Sequence, residues 1–229
     1  MKADAGASSA AEFKRSLPKR LWYDALRIFC RIYASAVLKI RCDGRENIPT
    51  SGGALVVANH QSQLDPLLFG MAFDGRLNYL ARQSLFRFTL FRWLIQSLDA
   101  IPIDRDGTGL GGLKETLKRL KRGEMVLIFP EGTRTEDGEI GPLKPGFLSV
   151  AKRSGVPLLP IVVEGAYESW PKGQAVPLPK VIQVEIGQAI TPEEIQRLSE
   201  QEIMAKLDQR LRACHQLARE KRNRRLKRA

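Results

Sequence analysis

Two histidines occur in the 229-residue chain, and one of them, His60, stands in the run NHQSQLDP (59–66), five positions before Asp65. An imidazole can take up a proton near neutral pH. A neighbouring carboxylate can fix its tautomer and stabilise the imidazolium that forms. Residues five apart on a continuous helix point about 140° away from each other. His60 and Asp65 therefore meet only if the loop turns before the helix begins. Asp65 followed by Pro66 also reads as a helix start, with the aspartate as N-cap and the proline at N1. Capping and catalysis are compatible. No GxSxG elbow is present, and nothing marks Ser62 as a nucleophile. A His–Asp pair of this kind suits general-base activation of a hydroxyl on the substrate. A metal reading lacks further ligands at known spacing, since His215 falls in the basic C-terminal segment.

A second group of residues could hold an anion. FPEGTR (129–134) puts Gly132, Thr133 and Arg134 in a tight loop after a strand, and Arg105 falls in the corresponding loop of the preceding strand. Two guanidiniums at one sheet edge suit a phosphate, because the planar fork matches its oxygens. Lys144 is a third candidate cation, and Glu131 could orient or pair with an arginine. GTGLGG (107–112) matches the dinucleotide fingerprint GxGxxG. Asp104 and Asp106 flank it and would repel a pyrophosphate, and the glycines come several residues after the strand. A flexible loop before a helix is the favoured reading there.

These residues must be carried by a scaffold. Short apolar runs at 54–58, 77–81, 100–103, 125–129, 157–163 and 181–186 read as buried strands. Helical stretches fall between several of them, at 66–73, 87–97, 113–121 and 146–153, and a single long helix runs on from Pro192 with Thr191 as N-cap. The alternation predicts a single α/β domain with a mixed, mostly parallel sheet flanked by helices. Loops beyond the carboxyl ends of such strands collect ligand sites. NHQSQLD, DRD and PEGTR all fall there. Upstream, Trp22, Leu26, Phe29, Tyr33 and Val37 recur at helical spacing, with Arg27, Arg31 and Lys39 between them. This predicts an amphipathic helix over 21–40, lying in a membrane interface or packed on the core. The organisation expected is a basic arm at 1–20, that helix, a core at 41–191, and a C-terminal helix with a basic tail at 192–229.

Composition narrows the class. Hydrophobic residues make up 43% of the chain, enough for one core. Three scattered cysteines show neither disulfide nor zinc spacing. The N-terminus lacks the apolar core of a signal peptide, and no window reaches about 18 uninterrupted apolar residues. The net charge is +12, concentrated in residues 1–20 and 216–229. Such arms suit a polyanionic partner, a lipid surface or a nucleic acid, or are simply solvated.

In order along the chain, HxxxxD at His60–Asp65, IPIDR (101–105), FPEGTR (129–134) and GVPLLPI (155–161) resemble the four motifs of the glycerolipid acyltransferases. The nearest branch is the one that acylates 1-acyl-glycerol 3-phosphate. Two departures are small: Ala100 stands where the second motif usually opens with glycine, and Thr135 replaces the serine common after the third. The resemblance implies a membrane-bound enzyme with His60 as base and Asp65 as its partner, and places Arg105, Glu131, Gly132, Thr133 and Arg134 at the glycerol phosphate. It implies no bound cofactor, an acyl-CoA or acyl-acyl carrier protein donor, and a lysophospholipid acceptor. Another lysolipid or glycerol phosphate itself remains open as acceptor. The expected location is the cytoplasmic face of a membrane, monotopic or peripheral, with no nucleic-acid partner. Two other classes compete. A basic nucleic-acid-binding protein would explain the tails but not His60 or FPEGTR. A dinucleotide-dependent oxidoreductase rests on GTGLGG.

Overall fold

The computed structural model describes residues 16–83, 92, 100–103, 110–171, 173–174 and 176–228. Arg105, the helix expected at 87–97, most of the N-terminal arm and the first half of GTGLGG lie outside these residues. Seven described strands form one sheet in the order β1-β7-β6-β2-β5-β3-β4. They are β1 (Arg41–Asp43), β2 (Leu55–Ala58), β3 (Leu77–Arg82), β4 (Ile101–Ile103), β5 (Met125–Ile128), β6 (Leu158–Glu164) and β7 (Gln183–Ile186). The five from β6 to β4 are parallel; β7 pairs antiparallel to β6, and β1 follows β7. This is the mixed, mostly parallel sheet that the alternation predicts. β2 sits at its centre, Leu55 pairing with Val126 on one side and Leu158 on the other. Its four residues are fully buried, as expected of a parallel strand covered on both faces.

Alternation along β2 assigns the two faces. Val56 and Ala58 pack with Leu68 and Phe69 of α2 (Asp65–Ala72) and with Ala34 of α1 (Leu17–Val37). Leu55 and Val57 pack on the opposite side with Leu120 of α3 (Leu110–Lys121) and Leu148 of α4 (Leu148–Ser154). A short helix α5 (Ala166–Ser169) follows β6. The chain ends in α6 (Pro192–Arg197) and α7 (Glu200–Leu226), not in the single helix expected from Pro192. The break has a local cause. Thr191 and Ser199 each accept a bond from the backbone three residues on, and Glu194 and Glu202 each return one, so two capping boxes start two helices.

The basic C-terminal segment continues α7 to Leu226. Along α7, Ile203, Leu207, Leu211, His215, Ala218 and Arg222 form one buried stripe at helical spacing. The stripe changes from apolar to polar as it reaches the polar face of β7, where Lys221 pairs with Glu185 at 2.7 Å and Arg225 donates to Gln183 at 3.1 Å. Of the two readings left open for α1, packing on the core by the face that carries Phe29 is not the one observed. Arg31 points inward and donates to the carbonyls of Met71 and Phe73 (3.0 and 2.9 Å) and to Asp74 (2.9 Å). These are carbonyls that the end of α2 leaves without helical partners. Leu21, Ala25, Ile28, Phe29, Ile32 and Ala36 face outward.

Candidate active site

The site is assembled where β2, β5 and β6 end. Asn59 continues the β2–β6 pairing with its side chain, donating to the carbonyl of Val163 and accepting from its N–H, both at 2.9 Å. The chain then turns, and α2 does not begin until Asp65. That turn brings residues five apart together: Asp65 Oδ2 lies 2.8 Å from His60 Nδ1. The same oxygen accepts from the backbone N–H groups of Gln61 (2.6 Å) and Ser62 (2.8 Å). Asp65 is therefore not the helix cap expected from the sequence. Leu64 holds the cap position without a side-chain bond, and the carboxylate points back along the loop. Pro66 does occupy the first turn. Asp65 is wholly buried, and its Oδ1 meets no partner among the described residues. Burial pushes its carboxyl above the ordinary aspartate value, against the lowering pull of His60, Ser62 and Gln61.

The FPEGTR loop supports the imidazole from the neighbouring strand. Phe129 stacks on His60 with ring centroids 4.0 Å apart and planes 18° from parallel. Among the described residues, Glu131 orients no arginine. One oxygen accepts from His60 N and the other from Gly141 N, both at 2.9 Å. Burial raises its carboxyl pKa, and those two donors oppose the rise. Thr135 N donates to His60 O at 2.8 Å, closing the two loops on each other. Its hydroxyl is engaged in the turn that follows, with Asp137 and Gly138. Gly132 has φ 74°, and a Cβ there would stand 3.0 Å from Lys144 Nζ, so the turn needs glycine and brings the lysine over it. Thr133 is exposed beside it. Arg134 is half-buried, and its Nη1 is sealed from solvent with no partner among the described residues. Of the residues expected in the site, His60, Asp65, Glu131, Gly132, Thr133, Arg134 and Lys144 thus fall on two interlocked loops.

With Nδ1 engaged by Asp65, Nε2 of His60 is the nitrogen left to take a proton from a substrate. No described residue hydrogen-bonds to it. The acyltransferase family model matches residues 39–164, which holds this whole arrangement. The chain belongs to the acyltransferase family. Among its relatives, the 1-acyl-sn-glycerol-3-phosphate acyltransferase of Pseudomonas aeruginosa is 35% identical over 167 residues, 71% of this chain and 63% of that protein. The chloroplastic 1-acyl-sn-glycerol-3-phosphate acyltransferase of Arabidopsis thaliana is 34% identical over 138 residues, 59% of this chain and 38% of that protein. The chain thus spans well under half the length of this plant relative. The crystal structure of the 1-acyl-sn-glycerophosphate acyltransferase of Thermotoga maritima superposes with a TM-score of 0.75 at 28% identity, covering 90% of this chain and 84% of that one.

The last three residues of GTGLGG lie in α3, and its first three lie outside the described residues. Sequence reasoning missed several residues around the site. Gln61, Phe129 and Glu164 carried no signal beyond their adjacency to motifs. His215 was placed away from the sheet edge. It lies there after all, with Nε2 2.7 Å from Glu164 Oε2 and 3.5 Å from Gln61 Nε2. The i, i+4 spacing from Leu207 through Leu211 to His215 was the available clue.

Proposed function

We propose that this acyltransferase moves a fatty acyl group from a thioester to the free hydroxyl of 1-acyl-glycerol 3-phosphate, giving phosphatidic acid. The observation that carries the reading is the His60–Asp65 pair, with Nδ1 engaged and Nε2 left for a substrate hydroxyl. His60 Nε2 takes the hydroxyl proton as the oxygen attacks the thioester carbonyl carbon. The tetrahedral adduct collapses, the C–S bond breaks, and the imidazolium returns its proton to the departing sulfur. No covalent enzyme intermediate is needed, because a thioester is already activated. Asp65 supports the imidazolium through Nδ1–H. The Nη1 of Arg134, partnerless among the described residues, and the Lys144 ammonium over Gly132 support a phosphate-bearing acceptor. Arg105 belongs to the same reading by its motif alone. The donor is acyl-CoA or acyl-acyl carrier protein.

The reading extends to a monotopic location on the cytoplasmic face of a membrane. Phe29 and Ile32 of α1 are each 66% exposed, on the outward apolar stripe. A face of this kind suits the headgroup boundary, where it would sink about 5–10 Å. No helix among the described residues is long and apolar enough to cross a membrane.

The test is an acceptor screen with the full chain in liposomes. Each labelled donor is offered with 1-acyl-glycerol 3-phosphate, with a lysolipid lacking the phosphomonoester, and with glycerol 3-phosphate. Labelled phosphatidic acid from the first is expected. Equal transfer to the lysolipid without the phosphomonoester, or product from glycerol 3-phosphate alone, would overturn the acceptor assignment.

A further inference from the structure

A buried polar cluster behind the His60 loop is used by none of the chemistry above. Gln61 is buried, and its side chain turns away from Asp65. Its amide nitrogen donates to the carbonyl of Gly138 at 2.8 Å and to Glu164 Oε2 at 3.3 Å, and its carbonyl accepts from Tyr167 N at 3.2 Å. Glu164 is the last residue of β6 and is itself buried. Its Oε2 faces His215 Nε2 at 2.7 Å, and its Oε1 faces Arg219 Nε and Arg222 Nη1, each at 3.4 Å. The two arginines are anchored in turn. Arg219 reaches Glu139 at 2.7 Å, and Arg222 reaches Glu168 at 2.7 Å and the carbonyl of Val181 at 2.9 Å. Glu139 also lies 3.9 Å from His215 Nδ1. Every cation in the cluster comes from α7.

Two bonds meet at residue 61. Its backbone N–H holds Asp65 Oδ2, and its side chain is clamped to β6, the Gly138 turn and, through Glu164, to α7. We propose that Gln61 is a positioning residue, fixed by the Glu164–His215 pair, that holds the Asp65 carboxylate against His60 Nδ1. This deepens the general-base reading of His60 and rests on it. The arrangement explains why His215 and Arg222 of the C-terminal segment are buried. A salt-bridged carboxylate in a closed cluster has few alternative geometries, so it transmits the position of α7 to a loop that has no regular structure of its own. If Gln61 merely filled space, an isosteric change would be harmless and His215 would be energetically independent of it. If it positions Asp65, removing its side chain loosens one donor on Oδ2 and the imidazolium loses support.

The test uses nuclear magnetic resonance of histidine in the full chain, in detergent micelles. With only two histidines present, His215→Ala assigns both imidazoles. In Gln61→Ala, the His60 titration is expected to move to lower pH by about half a unit or more, as an imidazolium loses its carboxylate partner. Steady-state kinetics should show kcat down by about 10-fold or more, with KM for donor and acceptor unchanged. Gln61→Glu keeps the volume but sets a carboxylate against Glu164 and the Gly138 carbonyl, and should do the same. His215→Ala should lower kcat less, and Gln61→Ala/His215→Ala should be no worse than Gln61→Ala, because both act through one contact. An unmoved His60 titration in the Gln61 variants, or fully additive losses in the double variant, would overturn the proposal. The resonance readout needs no substrate. If wild type proves inactive on every lysolipid, that failure belongs to the function assignment, and the His60 titration still decides the role of Gln61.

Discussion

Asp65→Asn isolates charge from geometry at the His60–Asp65 pair. Two backbone donors, Gln61 N–H and Ser62 N–H, point at Asp65 Oδ2 from 2.6 and 2.8 Å. An asparagine must therefore place its carbonyl oxygen there, since its NH2 group would face two donors. The oxygen still accepts from His60 Nδ1–H, so the imidazole keeps its tautomer and Nε2 stays free. What disappears is the negative charge. With imidazolium charge spread over both nitrogens, the separation is about 4 Å, and at an effective dielectric of about 20 the lost attraction is about 4 kcal/mol. That corresponds to roughly a 10³-fold fall in kcat. Stability should respond weakly, because two effects oppose. Burial raises the Asp65 pKa, so holding it ionised at neutral pH opposes folding, and the amide relieves that cost. The new NH2 group lands where Oδ1 has no partner, which costs about 1–3 kcal/mol. Single-turnover transfer measures the first quantity and urea unfolding the second. A folded Asp65→Asn variant with kcat within about threefold of wild type would refute the electrostatic role.

Arg134→Ala should raise KM for a phosphate-bearing acceptor by about 10-fold or more while leaving donor KM alone, because the anion then loses a guanidinium whose Nη1 has no other partner among the described residues; equal effects on both substrates would make Arg134 structural. Ile28→Asp with Ile32→Asp on the outward face of α1 should reduce partition onto neutral liposomes even at high salt, where charge is screened and buried apolar area is not. Burial alone would raise the Glu164 pKa, but His215, Arg219 and Arg222 outweigh it and hold the carboxyl below its ordinary 4.5. Its stabilisation is therefore complete above about 4.5 and is lost as pH falls through the lowered value. Glu164→Gln should be less stable than wild type at pH 7 and lose less on acidification below 4.5, as read by thermal unfolding across that window.

The reach of the sequence can be seen residue by residue. β2, β5 and β6 were legible because strands buried on both faces are continuous apolar runs. β1 was not, because three residues Arg-Cys-Asp pairing along β7 carry no such run. The division between α6 and α7 was written twice, in TPEE and SEQE, but the continuing helical propensity masked it. For α1, periodicity separates two faces without saying which is inward. The answer depends on Met71 and Phe73, about 40 residues away, whose carbonyls happen to need donors. His60 and Asp65 could be paired from spacing and motif. The role of Asp65 within the helix start could not, since that depends on whether its carboxylate turns forward to cap or back to the loop. The burial of His215 and Arg222 was hidden for a related reason. Charged residues break apolar periodicity, yet His215 and Arg222 keep the helical register of Leu207 and Leu211 and are buried by it.

Why the site stands where it does follows from the strand order. β6, β2 and β5 are neighbours and parallel, so their carboxyl ends lie side by side at about 4.8 Å spacing. The three loops that leave them carry His60, the FPEGTR turn and the Glu164–Gly165 corner. The connection leaving β2 enters α2 on one face of the sheet, whereas the connection leaving β5 enters α4 on the other. Adjacent loops that depart in opposite directions leave a crevice between them, which is the reason ligands bind where strand order reverses. A crevice so formed has no backbone of its own to hold its walls in register. In this chain the two walls are fastened directly, by Thr135 N to His60 O and by Glu131 to His60 N. The side of the loop facing β6 is fastened by Gln61, which reaches a helix more than 150 residues away in sequence. The His60–Asp65 pair is thus defined by contacts from every strand end that borders it, which is what lets an irregular loop hold two side chains at hydrogen-bonding distance.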